Sequence, residues 1–164
     1  AIEIIKAVVG EVGQEGVVGA GTVLDAETAR LAILAGAEFV VAPTLNLEAI
    51  VMAHRYDKVI IPGAFTPTEI LTAWQSGADM VKVFPATALG AKYFKDIKGP
   101  LPQIRLLPTG GVTIENAGEF IKAGACCVGI GTNLLDKKAI ETSQFEVLTK
   151  RARTLVANVK AVHL

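Results

Sequence analysis

One junction recurs three times along this chain: Ala35-Gly36-Ala37-Glu38-Phe39, Ser76-Gly77-Ala78-Asp79-Met80 and Ala123-Gly124-Ala125-Cys126-Cys127. Each copy reads as the end of a helix, a glycine, an alanine and the start of a strand. Glycine belongs just past a helix because the chain turns left-handed there. A spacing of roughly 40 residues, with an intermediate unit between successive copies, is that of a (βα) array on a parallel sheet.

The segments between the junctions agree with that reading. Strand-like runs at 17–23, 39–42, 59–62, 80–84, 105–108 and 126–130 are rich in Val, Ile and Leu with little polar alternation, as strands covered on both faces are. Helical periodicity occupies 25–35, 47–54, 68–75, 91–98 and 114–123. A helix opens the chain at 1–12 and another closes it at 146–162. Asp25, Asn46 and Thr66 or Thr68 are the N-cap candidates, and Gly36, Gly77 and Gly124 the residues past helix ends. No linker, low-complexity run or second domain is visible, so 1–164 reads as one domain. Two architectures fit: an open doubly wound sheet, or a (βα)8 barrel lacking its first β-α-β. A full barrel usually takes about 200 residues or more, against 164 here.

Charge and cysteine content narrow the function classes. Sixteen basic and sixteen acidic side chains cancel, which argues against a nucleic-acid binder with its basic stripe. No apolar run reaches the roughly 18 residues of a membrane span, and no charged segment leads into an apolar one as in a signal peptide. Cys126 and Cys127 are adjacent in an apolar run. Neighbours on a strand point to opposite faces, so they are expected as reduced, buried small hydrophobes, which suits the cytoplasm.

Lys82 stands in the middle of the apolar strand Met80-Val81-Lys82-Val83-Phe84. An ammonium there is costly unless paired or neutral. Desolvation lowers a lysine's pKa, and the neutral amine is a nucleophile toward carbonyls. Lys82 is therefore a candidate Schiff-base lysine. The alternative is a lysine at a strand end that points to water or to a carboxylate such as Asp79.

In parallel α/β folds ligands bind at the carboxyl ends of the strands. Those ends are rich in Gly, Pro and Thr here: Gly19-Ala20-Gly21-Thr22, Ala42-Pro43-Thr44, Ile61-Pro62-Gly63, Phe84-Pro85-Ala86, Pro108-Thr109-Gly110-Gly111 and Gly129-Ile130-Gly131-Thr132. Gly110, Gly111, Gly131 and Thr132 close the last two strands and read as a phosphate cup, since glycine lets backbone N–H groups approach an anion. The competing reading is that these glycines only make tight turns. Thr22, Pro43, Phe84 and Thr109 are the strand-end candidates for substrate binding. A threonine in a loop also serves to cap a helix or satisfy a backbone group. His54 and His163 lack metal-ligand spacing to other donors, so no metal is expected. Trp74 reads as packing.

Several of these motifs are those of one family. Val18-Gly19-Ala20-Gly21-Thr22-Val23, Ile61-Pro62-Gly63, Thr66-Pro67-Thr68-Glu69, Lys82-Val83-Phe84-Pro85-Ala86, Gly99-Pro100, Leu107-Pro108-Thr109-Gly110-Gly111-Val112 and Val128-Gly129-Ile130-Gly131-Thr132 resemble the 2-keto-3-deoxy-6-phosphogluconate (KDPG) aldolases. That family includes 4-hydroxy-2-oxoglutarate (KHG) aldolases and phosphogalactonate relatives. The resemblance runs from end to end of the chain. It implies a (βα)8 TIM barrel of the class I aldolase type, usually trimeric, that needs no cofactor. It also implies a phosphorylated keto-acid substrate, with neither nucleic acid nor membrane as partner. The lysine of Lys-x-Phe-Pro maps to Lys82 and the carboxylate-binding threonine to Thr22. The phosphate loops map to Gly110, Gly111, Gly131 and Thr132, with threonine in place of the usual serine.

One departure stands out. The family carries a Glu-x-Thr-x-Arg-like motif on its second strand, with the glutamate as general base and the arginine on the substrate carboxylate. No such motif occurs here, so only barrel strands 3–8 are expected in this chain. Three readings remain: a KDPG or KHG aldolase whose sequence begins late, a shortened fragment serving as a folding or assembly module, and a phosphosugar-binding barrel of another activity. The last is weakest, because such barrels do not need a lysine at the centre of this strand.

Overall fold

All three junction glycines adopt the left-handed conformation that the sequence demands, with φ of 105° at Gly36, 98° at Gly77 and 101° at Gly124. The computed structural model describes residues 1–13 and 15–162; His163 lies outside the described residues. The chain divides into two units, Ala1–Lys82 and Val83–Leu164.

The first unit runs α1 (Ile2–Val12), β1 (Gly19–Gly21), α2 (Ala26–Leu34), β2 (Phe39–Val41), α3 (Leu47–Arg55), β3 (Val59–Ile61), β4 (Gly63–Ala64) and α4 (Pro67–Gln75), and ends at Lys82 within β5 (Val81–Val83). Strands β1, β2 and β3 pair in that order, all parallel, in the register Ala20–Val40–Ile60. Those three side chains are buried, as expected of strands covered on both faces. Helices α2 and α3 pack on one another, and their inward stripes are short: Ala29, Ala32 and Ile33 on α2, Ala49, Ile50 and Ala53 on α3. Small residues let helices approach closely.

Local chemistry sets the helix starts. Asp25 accepts the Thr28 N–H and Asn46 accepts the Ala49 N–H, satisfying donors a helix leaves open. Of the two candidates for α4, Thr66 is the N-cap. It forms a reciprocal capping box with Glu69, and Pro67 follows at the first helical position. Thr66→Ala is expected to lower stability by about 1 kcal/mol, read as a fall in Tm.

The same box has a pH signature. The Glu69 carboxylate accepts N–H groups from Phe65 at 2.9 Å and Thr66 at 2.8 Å. These bonds, the Phe65 one foremost, hold its pKa below the usual value. A lowered folded-state pKa adds stability above the unfolded glutamate's pKa, and that stability is lost as pH falls through the folded value. The gap between wild type and Glu69→Gln should therefore close on acidification, which thermal melts across that range will measure.

The second unit runs through a 3-10 turn (Ala86–Ala88), α5 (Gly90–Lys98), β6 (Leu106–Pro108), α6 (Ala117–Lys122), α7 (Lys137–Glu141) and α8 (Phe145–Lys160). Its core holds Phe94 edge-on against Phe120, with ring centroids 5.2 Å apart, beside buried Ile104, Leu106 and Ala117. Helix α6 packs on α5 and α8, and α7 on α8. The Asn158 amide donates to the Ile114 carbonyl, tying α8 to the turn before α6.

Five details depart from the sequence reading. The run 59–62 continues past Pro62 as β4, because proline supplies no N–H to the ladder and splits the strand. The helix expected at 114–123 begins only at Ala117. Thr113 and Asn116 exchange side-chain bonds with each other's N–H, which holds 114–116 as a turn. Helix α7, capped by Asp136, was not foreseen. The run 126–130 is not a strand. Gly129 makes a single parallel bridge to Thr109, and the chain bends at 126–127. That bend also overturns the burial expected of the cysteines: Cys126 is exposed and Cys127 half-buried, with their Sγ atoms 3.7 Å apart. Among the described residues no helix is long and apolar enough to cross a membrane.

Candidate active site

Lys82 is the middle residue of β5 and the last of the first unit. Val81 and Val83 on either side are fully buried, and Lys82 is 9% exposed. Its N–H donates to the Pro62 carbonyl at 2.8 Å, which fixes the strand beside β4. Of the two alternatives raised for this lysine, a side chain in bulk water disagrees with its 9% exposure; the Asp79 carboxylate accepts the Ile60 N–H at 2.9 Å and lies 3.6 Å from His54 Nε2.

Burial pushes the Lys82 pKa below the ordinary lysine value, because a low-dielectric surround disfavours the ammonium. The unfolded chain then binds more protons than the folded one between the two pKa values. The burial penalty is fully present below that window and is relieved as pH rises through it. Lys82→Met keeps the length and removes the charge. It is expected to raise Tm at neutral pH, with a smaller gain near about pH 10, as calorimetry at the two pH values will report.

Two other expected residues lie in the first unit. Thr22 follows β1, is exposed and has φ of 60°, a left-handed conformation uncommon for threonine. Pro43 follows β2 and is half-buried. A Cβ on Gly63 would overlap the Pro43 carbonyl carbon and oxygen, so only glycine lets β4 run this close to the 43–44 backbone.

The second unit gathers the remaining six. Phe84, Thr109, Gly110, Gly111, Gly131 and Thr132 line one cleft of about 330 Å³, together with Val112, Thr113, Gly129 and Asn133. Thr109 is held by its backbone, its N–H on the Val83 carbonyl at 3.1 Å and its carbonyl accepting from Ala86 at 2.9 Å. Gly111 has φ of 75°, and a Cβ there would sit 2.5 Å from Thr87 Oγ1. Gly131 differs: a Cβ there would meet nothing within 4 Å.

Two supporting residues escaped the sequence reading. The Asn116 amide donates to the Gly111 carbonyl at 3.0 Å. Arg151, on α8, donates to the Asn133 carbonyl at 3.3 Å and to Asp136 Oδ2 at 2.8 Å. The Leu134 and Leu135 N–H groups fold back onto the Gly131 carbonyl, so the segment 131–136 is tied at both ends. Asn116 carried a weak signal as a helix-start residue type. Arg151 carried none, because it lies far from Asn133 in sequence.

The other singled-out residues stand apart. Trp74 is half-buried on α4, and His54 is exposed on α3. Among the described residues no three His, Cys, Asp or Glu side chains gather to hold a metal.

Comparison with known proteins bears on this geometry. The family model for KDPG and KHG aldolase matches residues 1–151. The chain is 38% identical over 131 residues to the 2-dehydro-3-deoxy-6-phosphogalactonate aldolase of Escherichia coli (strain K12), covering 79% of this chain and 64% of that protein. It is 34% identical over 162 residues to the KHG/KDPG aldolase of the same organism, covering 98% of this chain and 75% of that protein. It thus spans about two thirds to three quarters of these relatives. A solved KDPG aldolase from Legionella pneumophila, with pyruvate captured as a covalent carbinolamine intermediate, matches with a TM-score of 0.83 at 26% identity, covering 95% of this chain and 74% of that one.

Proposed function

Because the chain belongs to the KDPG and KHG aldolase family, we propose that it is a class I aldolase with Lys82 as its Schiff-base lysine. The observation that carries this reading is the burial of Lys82 within β5, with its pKa lowered by desolvation. A larger neutral fraction is what an amine needs in order to attack a ketone.

In the proposed reaction neutral Lys82 adds to the C2 ketone of the substrate and loses water to give a protonated imine. A base takes the C4 hydroxyl proton, the C3–C4 bond breaks, and its electron pair flows into the imine to leave an enamine. Protonation and hydrolysis of the enamine release pyruvate and return the amine. The aldehyde half leaves as glyceraldehyde 3-phosphate from 2-keto-3-deoxy-6-phosphogluconate or its galactonate epimer, and as glyoxylate from 4-hydroxy-2-oxoglutarate. Thr22 orients the pyruvate carboxylate, and Pro43, Phe84 and Thr109 contact the substrate body. The glycine-lined cleft supports phosphate binding by Gly110, Gly111, Gly131 and Thr132, with no cofactor.

The parallel pairing of β1 to β3 and the Thr109–Gly129 bridge support reading the strands as numbers three to eight of a (βα)8 barrel in one domain. A cleft at the last two strand ends is where such barrels frequently hold phosphate. A homotrimer, implied by the family resemblance, and a cytoplasmic location, which two reduced cysteines suit, belong to the same proposal.

Borohydride reduction in the presence of pyruvate, followed by peptide mass mapping, tests the reading. One reduced adduct on Lys82 is expected, and a label on Lys92, Lys95 or Lys98 instead overturns it. The bonds from Arg151 give a further expectation. Arg151→Ala should raise KM for phosphorylated substrate several-fold with kcat little changed, and Arg151→Lys should recover part of the loss. Steady-state kinetics on both variants is the check.

A further inference from the structure

Cys126 and Cys127 have no part in the proposed reaction, yet the bend at 126–127 turns them into a pair. Their Sγ atoms stand 3.7 Å apart, where a regular strand would send them to opposite faces. We propose that Cys126 and Cys127 form a two-point dithiol site for a soft, trivalent metalloid, the class of monosubstituted arsenicals.

Geometry selects this class over the alternatives. A disulfide takes Cα atoms about 4.4–6.8 Å apart, whereas consecutive Cα atoms across one trans peptide are only about 3.8 Å apart, so closing the pair directly would strain the backbone. Zinc sites take four donors, and among the described residues no third His, Cys, Asp or Glu joins the pair. A species satisfied by two thiolates and bridging the gap between them suits the site instead.

The two thiols differ in a useful way. Cys126 is exposed, and its pKa is pushed down to about 7, chiefly because the Cys127 S–H donates to it, with smaller help from the Arg105 and Lys98 cations. That same hydrogen bond, reinforced by burial, pushes the Cys127 pKa up. The pair thus shares its protons unequally: Cys126, whose Sγ also reaches the Leu106 carbonyl at 3.3 Å, is the readier of the two to become the attacking thiolate, and Cys127 the readier to keep its proton.

With phenylarsine oxide the Cys126 thiolate makes the first As–S bond, and the electrons of the As=O double bond move onto oxygen. The second As–S bond forms to Cys127. The oxygen departs as water, taking the Cys127 proton and one from solvent. Two thiols and one arsine oxide give one cyclic dithioarsonite and one water, with no change of oxidation state.

The chain has two cysteines in all, so intact-mass analysis after one equivalent of phenylarsine oxide reads this pair alone. The expected result is one adduct per chain that survives excess glutathione and is removed by dithiothreitol, while iodoacetamide capture falls from two thiols to none. Cys126→Ser and Cys127→Ser should each give only an adduct that glutathione strips, with circular dichroism confirming that the variants fold. A wild-type adduct that glutathione strips, or one that leaves a thiol open to iodoacetamide, overturns the proposal. So does a glutathione-resistant adduct in either serine variant. Should a variant fail to fold, the wild-type measurements decide.

Discussion

Lys82→Ala is expected to abolish borohydride-trapped labelling by pyruvate and to lower aldol cleavage by about 10³-fold or more, the scale on which losing a covalent nucleophile acts. The residue sits where the strand is most firmly held, between two fully buried valines and with its N–H on the Pro62 carbonyl. Alanine keeps that hydrogen bond, so the lesion is confined to the side chain. Lys82→Arg separates charge from nucleophilicity. The guanidinium stays charged at any accessible pH and cannot supply a neutral amine, so this variant should be as inactive as the alanine one. Substantial trapping on pyruvate in either variant would remove Lys82 from the mechanism.

The second large effect belongs to the glycine-lined cleft. Gly131 has open space where a Cβ would go, so Gly131→Ala should leave folding unchanged. Gly131→Asp fits as easily and brings a negative charge to the place assigned to phosphate. Two like charges about 4 Å apart repel by about 4 kcal/mol at the effective dielectric of a protein surface. Exposure and salt reduce this, leaving an expected rise of about 10- to 100-fold in KM for phosphorylated substrates. Cleavage of 4-hydroxy-2-oxoglutarate, which has no phosphate, and trapping by pyruvate should hardly change. Equal losses for both substrate types would mean that these glycines only shape turns. Gly111 cannot serve for this test. At φ of 75° and against Thr87, even alanine there costs about 1–3 kcal/mol of strain, which would mix folding with binding.

The sequence carried much of this protein on its own. The junction glycines, the caps at Asp25, Asn46 and Thr66, and the parallel α/β order were legible because each depends on a few neighbouring residues and on one face of an element being covered. The lysine within an apolar strand was legible for the same reason, since burial of β5 follows from Val81 and Val83 beside it. Six of the nine expected site residues share one cleft, and their signal was the run of Gly, Pro and Thr at strand ends.

Tertiary structure decided the rest. Thr113 and Asn116 delay α6 by binding one another, a choice that helical periodicity does not register. Arg151 secures the loop at Gly131 from a helix distant in sequence, and only folding brings the guanidinium and the Asn133 carbonyl together. The run 126–130 has the composition of a strand, yet it bends, exposing one thiol and bringing both within contact. Local pattern determines most of the elements and which face of each is buried, because those depend chiefly on near neighbours. Where an element stops, and which distant side chain ties a loop, depends on hydrogen bonds between residues that only the folded chain makes neighbours.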